Sequence, residues 1–125
     1  MSAIQTTTCY LGDDLSLEVT ATWQDTGLPV DLTGAKIVST CRRTDSEPPA
    51  WTKRNLAEGG SDSEIAMTNA AGGVCTIAVT AAESAAMQPT TYQVDAVALL
   101  STGKVATLAT WRLIMQTRPT VGAVV

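Results

Sequence analysis

Leu15-Ser16-Leu17-Glu18-Val19-Thr20-Ala21-Thr22-Trp23 sets an apolar side chain at every second position with a polar one between. A helix would scatter these apolar groups around its axis, whereas an extended strand lines them on one buried face and leaves the other wet. Asp25-Thr26-Gly27 then turns the chain, and residues 28–34 read as a short extended piece in which Pro29 suits an edge or a turn. Gly34 leads into a second strand across residues 36–42. Residues 44–63, with Ser46, Glu47, Pro48, Pro49, Gly59, Gly60 and Ser61, are polar and too long for a tight turn, so they are read as the largest loop.

The same punctuation continues downstream. Residues 65–68 form a short strand, Asn69-Ala70-Ala71-Gly72-Gly73 a turn, and residues 74–80 the next strand. Thr80-Ala81-Ala82-Glu83 is a capping box, in which the threonine hydroxyl accepts a first-turn amide and the glutamate reaches back, so a short helix is predicted over 81–87, ended by Pro89. Residues 91–100 and 104–116 flank Ser101-Thr102-Gly103, a three-residue hairpin loop with glycine placed for positive φ. The count is about seven strands with turn signals between them, the profile of an all-β antiparallel sandwich with one short helix.

At 125 residues the chain has the size of one domain. The expected organisation is a sandwich over 1–118 and an apolar arm over 119–125, broken by Pro119 and Gly122. The net charge is −4, and the basic residues are scattered apart from Arg42-Arg43 and Lys53-Arg54, so no nucleic-acid partner is expected. No run approaches the roughly 20 apolar residues of a membrane span, and Met1-Ser2-Ala3-Ile4-Gln5 lacks the basic and apolar regions of a signal peptide. No membrane partner and synthesis in a cytoplasm are the expectations.

The residues that usually carry chemistry are sparse. Histidine is absent, which excludes Ser-His-Asp and Cys-His devices and any metal site containing histidine. Cys9, Cys41 and Cys75 are odd in number and widely spaced, and are read as small, reduced, structurally passive residues. Asp13, Asp14 and Asp31 could gather oxygens around calcium, but aspartates before strands more commonly cap turns. No enzymatic activity, cofactor or metal is expected. Asp95 and Arg112 share the polar phase of the last hairpin and are expected to pair across it. Trp111, in phase with Val105, Ala109 and Leu113, and Tyr92, in phase with Val94, Ala96 and Ala98, belong to the predicted core, while Trp23 is core or interface. Trp51, beside Pro48-Pro49, is either a lid over the sandwich or a contact for a partner. The candidate partner-binding residues are Trp51, Pro48 and Pro49 in the loop and Arg118, Val121, Val124 and Val125 at the arm.

The order of pieces is specific where the single motifs are not. Gly12-Asp13-Asp14-Leu15, Val30-Asp31-Leu32-Thr33-Gly34-Ala35, Thr80-Ala81-Ala82-Glu83, then Tyr92, Asp95, Gly103 and Thr107 together resemble small tailed-phage virion proteins, in particular the N-terminal domains of phage baseplate upper proteins and related tail-fibre and tail-tip proteins. The likeness covers most of residues 9–118. It implies an immunoglobulin-like sandwich located in the virion, non-enzymatic, assembling as a homo-oligomer and bound to tail, baseplate or capsid subunits. No coiled coil or receptor-binding region follows the sandwich in this sequence, so the expected role is an adaptor or fibre-anchoring subunit of the tail or baseplate. A capsid decoration protein is the alternative, and a stand-alone carbohydrate-binding module using Trp51 and Tyr92 is another.

Overall fold

A computed structural model of the protein describes residues 5–43 and 48–117. The strands are β1 (Gln5–Tyr10), β2 (Leu15–Thr20), β3 (Lys36–Arg42), β4 (Trp51–Arg54), β5 (Ile65–Asn69), β6 (Val74–Val79), β7 (Thr91–Leu99) and β8 (Val105–Gln116), with one helix, α1 (Ala81–Ala85), before β7. They form a five-stranded sheet, β1-β8-β7-β3-β4, facing a three-stranded sheet, β2-β6-β5. All pairings are antiparallel except β1 with β8. A β2-β6-β5 sheet opposed to a β8-β7-β3 sheet is the immunoglobulin-like arrangement, and β4 extends it beside β3 as in variable-type domains.

The core follows from period-2 sequence. Leu15, Leu17 and Val19 point inward from β2, meeting Cys75, Ile77 and Val79 of the neighbouring β6 on the same face. Ile37 and Cys41 of β3, Tyr92 and Val94 of β7 and Trp111 and Leu113 of β8 close the core from the other sheet. Residues 28–34 form no full strand; their one ladder contact is a bridge between Thr22 and Pro29, because proline cannot donate to a ladder. They cross between the sheets and plug one end with the fully buried Val30 and Leu32. Gly73 sits here at φ 76°, where a Cβ would lie 2.4 Å from the Ala21 carbonyl oxygen, so only glycine lets the chain pass.

Opposite that end, Tyr92 is buried at the start of β7, and its hydroxyl accepts the Gln88 N–H at 2.8 Å, four residues upstream. This is the corner tyrosine recurrent in immunoglobulin-like sandwiches. Where antibody domains place an inter-sheet cysteine, two residues further on, this chain has the buried Val94. The capping box predicted at α1 is present in full, although the helix ends at Ala85 rather than Met87. Asp14 adds to it by accepting the Ala81 N–H at 2.7 Å, and the buried Ser84 hydroxyl donates to the Asp13 carbonyl at 2.6 Å.

Three sequence expectations require correction. The stretch 44–63 is not one loop: Trp51–Arg54 pairs with β3 from Cys41 opposite Trp51 to Val38 opposite Arg54, and Leu56–Glu58 forms a 3-10 turn. Its alternation is concealed in the sequence because two of the inward positions are polar, Lys53 and Asn55. Asn55 braces β3, accepting the Ile37 N–H at 3.0 Å and donating to the Ala35 carbonyl at 2.8 Å. β1 likewise gives no strand signal in the sequence, since Thr6-Thr7-Thr8 shows no apolar alternation. Finally, β8 carries a bulge. Ala96 faces Ala109 but Val97 faces Thr107, so Leu108 is extra and both Leu108 and Ala109 turn inward. The bulge inverts the phase upstream and leaves Val105 71% exposed, not in the core with Trp111.

Cys41 and Cys75 are buried and Cys9 half-buried, all three unpaired. Burial pushes the Cys41 thiol up to about 12 and that of Cys75 to about 11; burial and then the Asp13 charge raise Cys9. Native protein at pH 7.5 is therefore expected to react slowly with a thiol reagent, Cys9 first, and to yield three equivalents once unfolded. A stoichiometric disulfide under non-reducing mass measurement, or rapid labelling of Cys41 or Cys75, contradicts this.

Candidate functional site

The outer face of the five-stranded sheet gathers residues that are far apart in sequence. Alternation turns Lys36, Val38, Thr40 and Arg42 of β3 away from the core, since Ile37, Ser39 and Cys41 are buried. On β7 the same phase exposes Gln93, Asp95 and Leu99 and half-exposes Val97. Register then sets them in rows. Arg42 and Arg112 flank Gln93; Thr40 and Thr110 flank Asp95; Val38 and Thr107 flank Val97; Lys36 and Val105 flank Leu99. Arg54 of β4 lies beside Val38.

One half of the face therefore carries Val38, Val97, Leu99 and Val105, with Lys36 and Arg54 at its edge, and the other is lined by Arg42, Arg112 and hydroxyl groups. A hollow of about 410 Å³ opens over the polar half, walled by Thr40, Arg42, Gln93, Asp95, Thr110 and Arg112. Two strand spacings, about 10 Å, separate the backbones of Arg42 and Arg112, and both line this hollow. Asp95 and Arg112 occupy adjacent rows, and no ion pair joins them, which corrects the expected cross-strand pairing. The side chains of Lys36, Arg42, Arg54 and Arg112 have no hydrogen-bond or ion-pair partner among the described residues.

The sequence scatters its eight basic residues; the sheet collects four of them here against the single carboxylate of Asp95. The signal available beforehand was the strand phase of Arg42 and Arg112, but reading it required knowing that β3 and β8 both adjoin β7.

The residues predicted from sequence fall elsewhere. Trp51 is only 7% exposed and packs in the core from β4, so it is the lid over the sandwich and not a docking anchor, a correction. Its indole N–H has no acceptor among the described residues. Tyr92 is buried as well, so Trp51 and Tyr92 offer no platform on which a sugar could stack, and the carbohydrate-module alternative loses its site. Pro48 and Pro49 are exposed, with Pro48 on the rim of a hollow of about 230 Å³ beside Arg43, Glu83 and Tyr92. Arg118, Val121, Val124, Val125 and the arm as a whole lie outside the described residues. Trp23 is half-buried against the core.

The aspartates act locally. Asp14 caps α1, and Asp31 accepts the Thr33 N–H at 2.9 Å. Bonds from the Thr33 side chain and backbone hold the Asp31 carboxyl below the usual carboxylate range. Asp14 precedes β2 and Asp31 follows its far end, so the two do not converge. Among the described residues no group of three or more cysteines and carboxylates is placed to hold a metal ion, and no helix is long and apolar enough to cross a membrane.

No family model and no curated protein matches the chain. Among solved structures it is similar to a chain of the crystal structure of ICOS in complex with ICOS-L and an anti ICOS-L VNAR domain, with a TM-score of 0.46 and 8% sequence identity. The match covers 94% of this chain and 56% of that one, so the protein spans a little over half the length of its structural neighbour.

Proposed function

We propose that the protein is a non-enzymatic virion structural protein of a tailed phage, made in the host cytoplasm and docking onto other virion subunits as a tail or baseplate adaptor or fibre-anchoring subunit. The observation that carries the docking part is the outer sheet face: side by side it presents arginines without partners among the described residues and the exposed aliphatic groups of Leu99 and Val105. Arginine beside exposed aliphatic groups, with little acid, is the composition of protein interfaces. The virion part rests on the ordered motifs. Several of their residues also act together: Asp13, Asp14, Thr80 and Glu83 interlock through hydrogen bonds, with the adjoining Ser84, at the end of the sandwich where Tyr92 forms its corner. The motifs thus describe how such a domain is tied together, and the sheet face describes what it offers.

Mass spectrometry and electron microscopy of purified particles test this reading. The expected result is a fixed copy number per particle with density at the tail or baseplate. Density on the head shell supports the decoration alternative, and absence from purified particles overturns the proposal.

A further inference from the structure

The outer sheet face carries four cations and one carboxylate, net +3, on a chain of net −4, so the rest of the sequence sums to −7. Charge is segregated. A two-fold contact of this face with itself would set four cations against four, which like-charge repulsion opposes. A heterologous contact with another part of the same chain has no such conflict.

The connection from β4 to β5 supplies a matching surface. It holds Glu58 and the exposed Asp62 in the same short segment as Leu56, which is 66% exposed, while Glu64 accepts the Arg54 N–H of its own chain at 3.3 Å. Its shape is set by its own bonds: Gly60 N–H to the Asn55 carbonyl at 2.9 Å, Ile65 N–H to the Ser61 carbonyl at 3.1 Å, and Gly59 in the left-handed region at φ 92°. A pre-shaped acidic loop with a protruding leucine complements a face with Val97, Leu99 and Val105 beside Arg42, Arg54 and Arg112.

We infer that the outer face of the five-stranded sheet binds a second copy of this chain head to tail, receiving the acidic Leu56–Glu64 connection of the neighbour. The choice of face rests on the docking reading above; the identity of the occupant rests on the charge pattern. Head-to-tail contacts close into rings or extend as filaments, according to the rotation between copies.

Sedimentation velocity of the purified full chain over a concentration series tests it. At about 10 mM salt, where the screening length is about 30 Å, association is expected; at about 1 M, where it is about 3 Å, it is expected to fall away. The variants R42E/R112E and E58K/D62K, which leave the internal Glu64–Arg54 bond in place, should each stay monomeric, while their equimolar mixture, in which the contact regains opposite charges, should associate again. The milder pair Arg42→Gln and Arg112→Gln, which avoids new repulsion beside Asp95, should weaken association about tenfold. Circular dichroism checks that each variant keeps its fold. A wild-type chain that stays monomeric throughout overturns the inference, as does binding of an RNA or an unrelated acidic protein by that monomer. Unchanged association in the Gln pair, or a mixture that remains monomeric, overturns it too. Presence in or absence from virions has no bearing on these readouts, so failure of the functional proposal would be seen separately.

Discussion

Replacing Trp111 with alanine is expected to lower the free energy of unfolding by about 3–5 kcal/mol, the range for removing a large aromatic side chain from a packed interior. Trp111 is 3% exposed and stands on β8 between Val94 of β7 and Gln5 of β1. It lies downstream of the bulge at Leu108 and Ala109, so its neighbours on both sides are held by ladder bonds and cannot collapse into the space left behind. Since small domains are stable by about 5–15 kcal/mol in total, such a loss would place the variant near its unfolding threshold at physiological temperature. Urea denaturation of wild type and variant reads the difference directly, with the slope expected to stay the same. A loss below about 1 kcal/mol would show that the ring is not packed as described.

Glu83→Gln is expected to be the second most damaging of the changes considered, because it strands a buried ammonium. Lys53 points inward from β4 with a side chain only 6% exposed, and its Nζ meets the Glu83 carboxylate at 2.5 and 2.6 Å. Breaking a fully buried pair costs about 3–5 kcal/mol; here Glu83 keeps about a third of its exposure, so about 2 kcal/mol is expected. Lys53→Met should cost less, since it removes the buried charge and leaves Glu83 to accept the Thr80 N–H. Partial burial pushes the Glu83 carboxyl upward, and the bonds from Lys53 and Thr80 outweigh it, holding the group below the usual carboxylate range. A lowered folded value means that the stabilisation is complete above the ordinary glutamate range, near pH 4.3, and is lost as pH falls through the folded value. The gap between wild type and Glu83→Gln should therefore be wide at pH 7 and narrow toward pH 3. Equal losses in the two single variants, or a gap that does not change with pH, would contradict the assignment.

What was legible in the sequence is what alternation and turn chemistry encode locally. β2, β6, the β7–β8 hairpin with Gly103 at φ 90° and the Thr80–Glu83 capping box all follow from near neighbours in the chain. β4 was hidden because Lys53 finds its partner thirty residues away on α1, so a cation at an inward position looked like loop. Val105 was misplaced because a bulge is a single inserted residue whose effect on phase no periodic count registers. The candidate face was the least legible part. Its cations come from three strands whose adjacency is a property of the sheet order, and short-range reading put two of them, Arg42 and Arg54, into sequence pairs with residues that point elsewhere.

The parallel pairing of β1 with β8 also sets a timetable for synthesis. Gln5 lies opposite Trp111, so β1 leaves the ribosome roughly a hundred residues before the strand it pairs with. At about 5–20 residues per second that delay is on the order of 5–20 seconds, during which an unpaired strand is open to wrong partners. Gln5-Thr6-Thr7-Thr8-Cys9-Tyr10 is suited to such a wait: three hydroxyl side chains in a row keep it wettable while their branched β-carbons keep it extended. The same absence of apolar alternation that concealed β1 in the sequence lets the nascent chain carry it in water until β8 arrives.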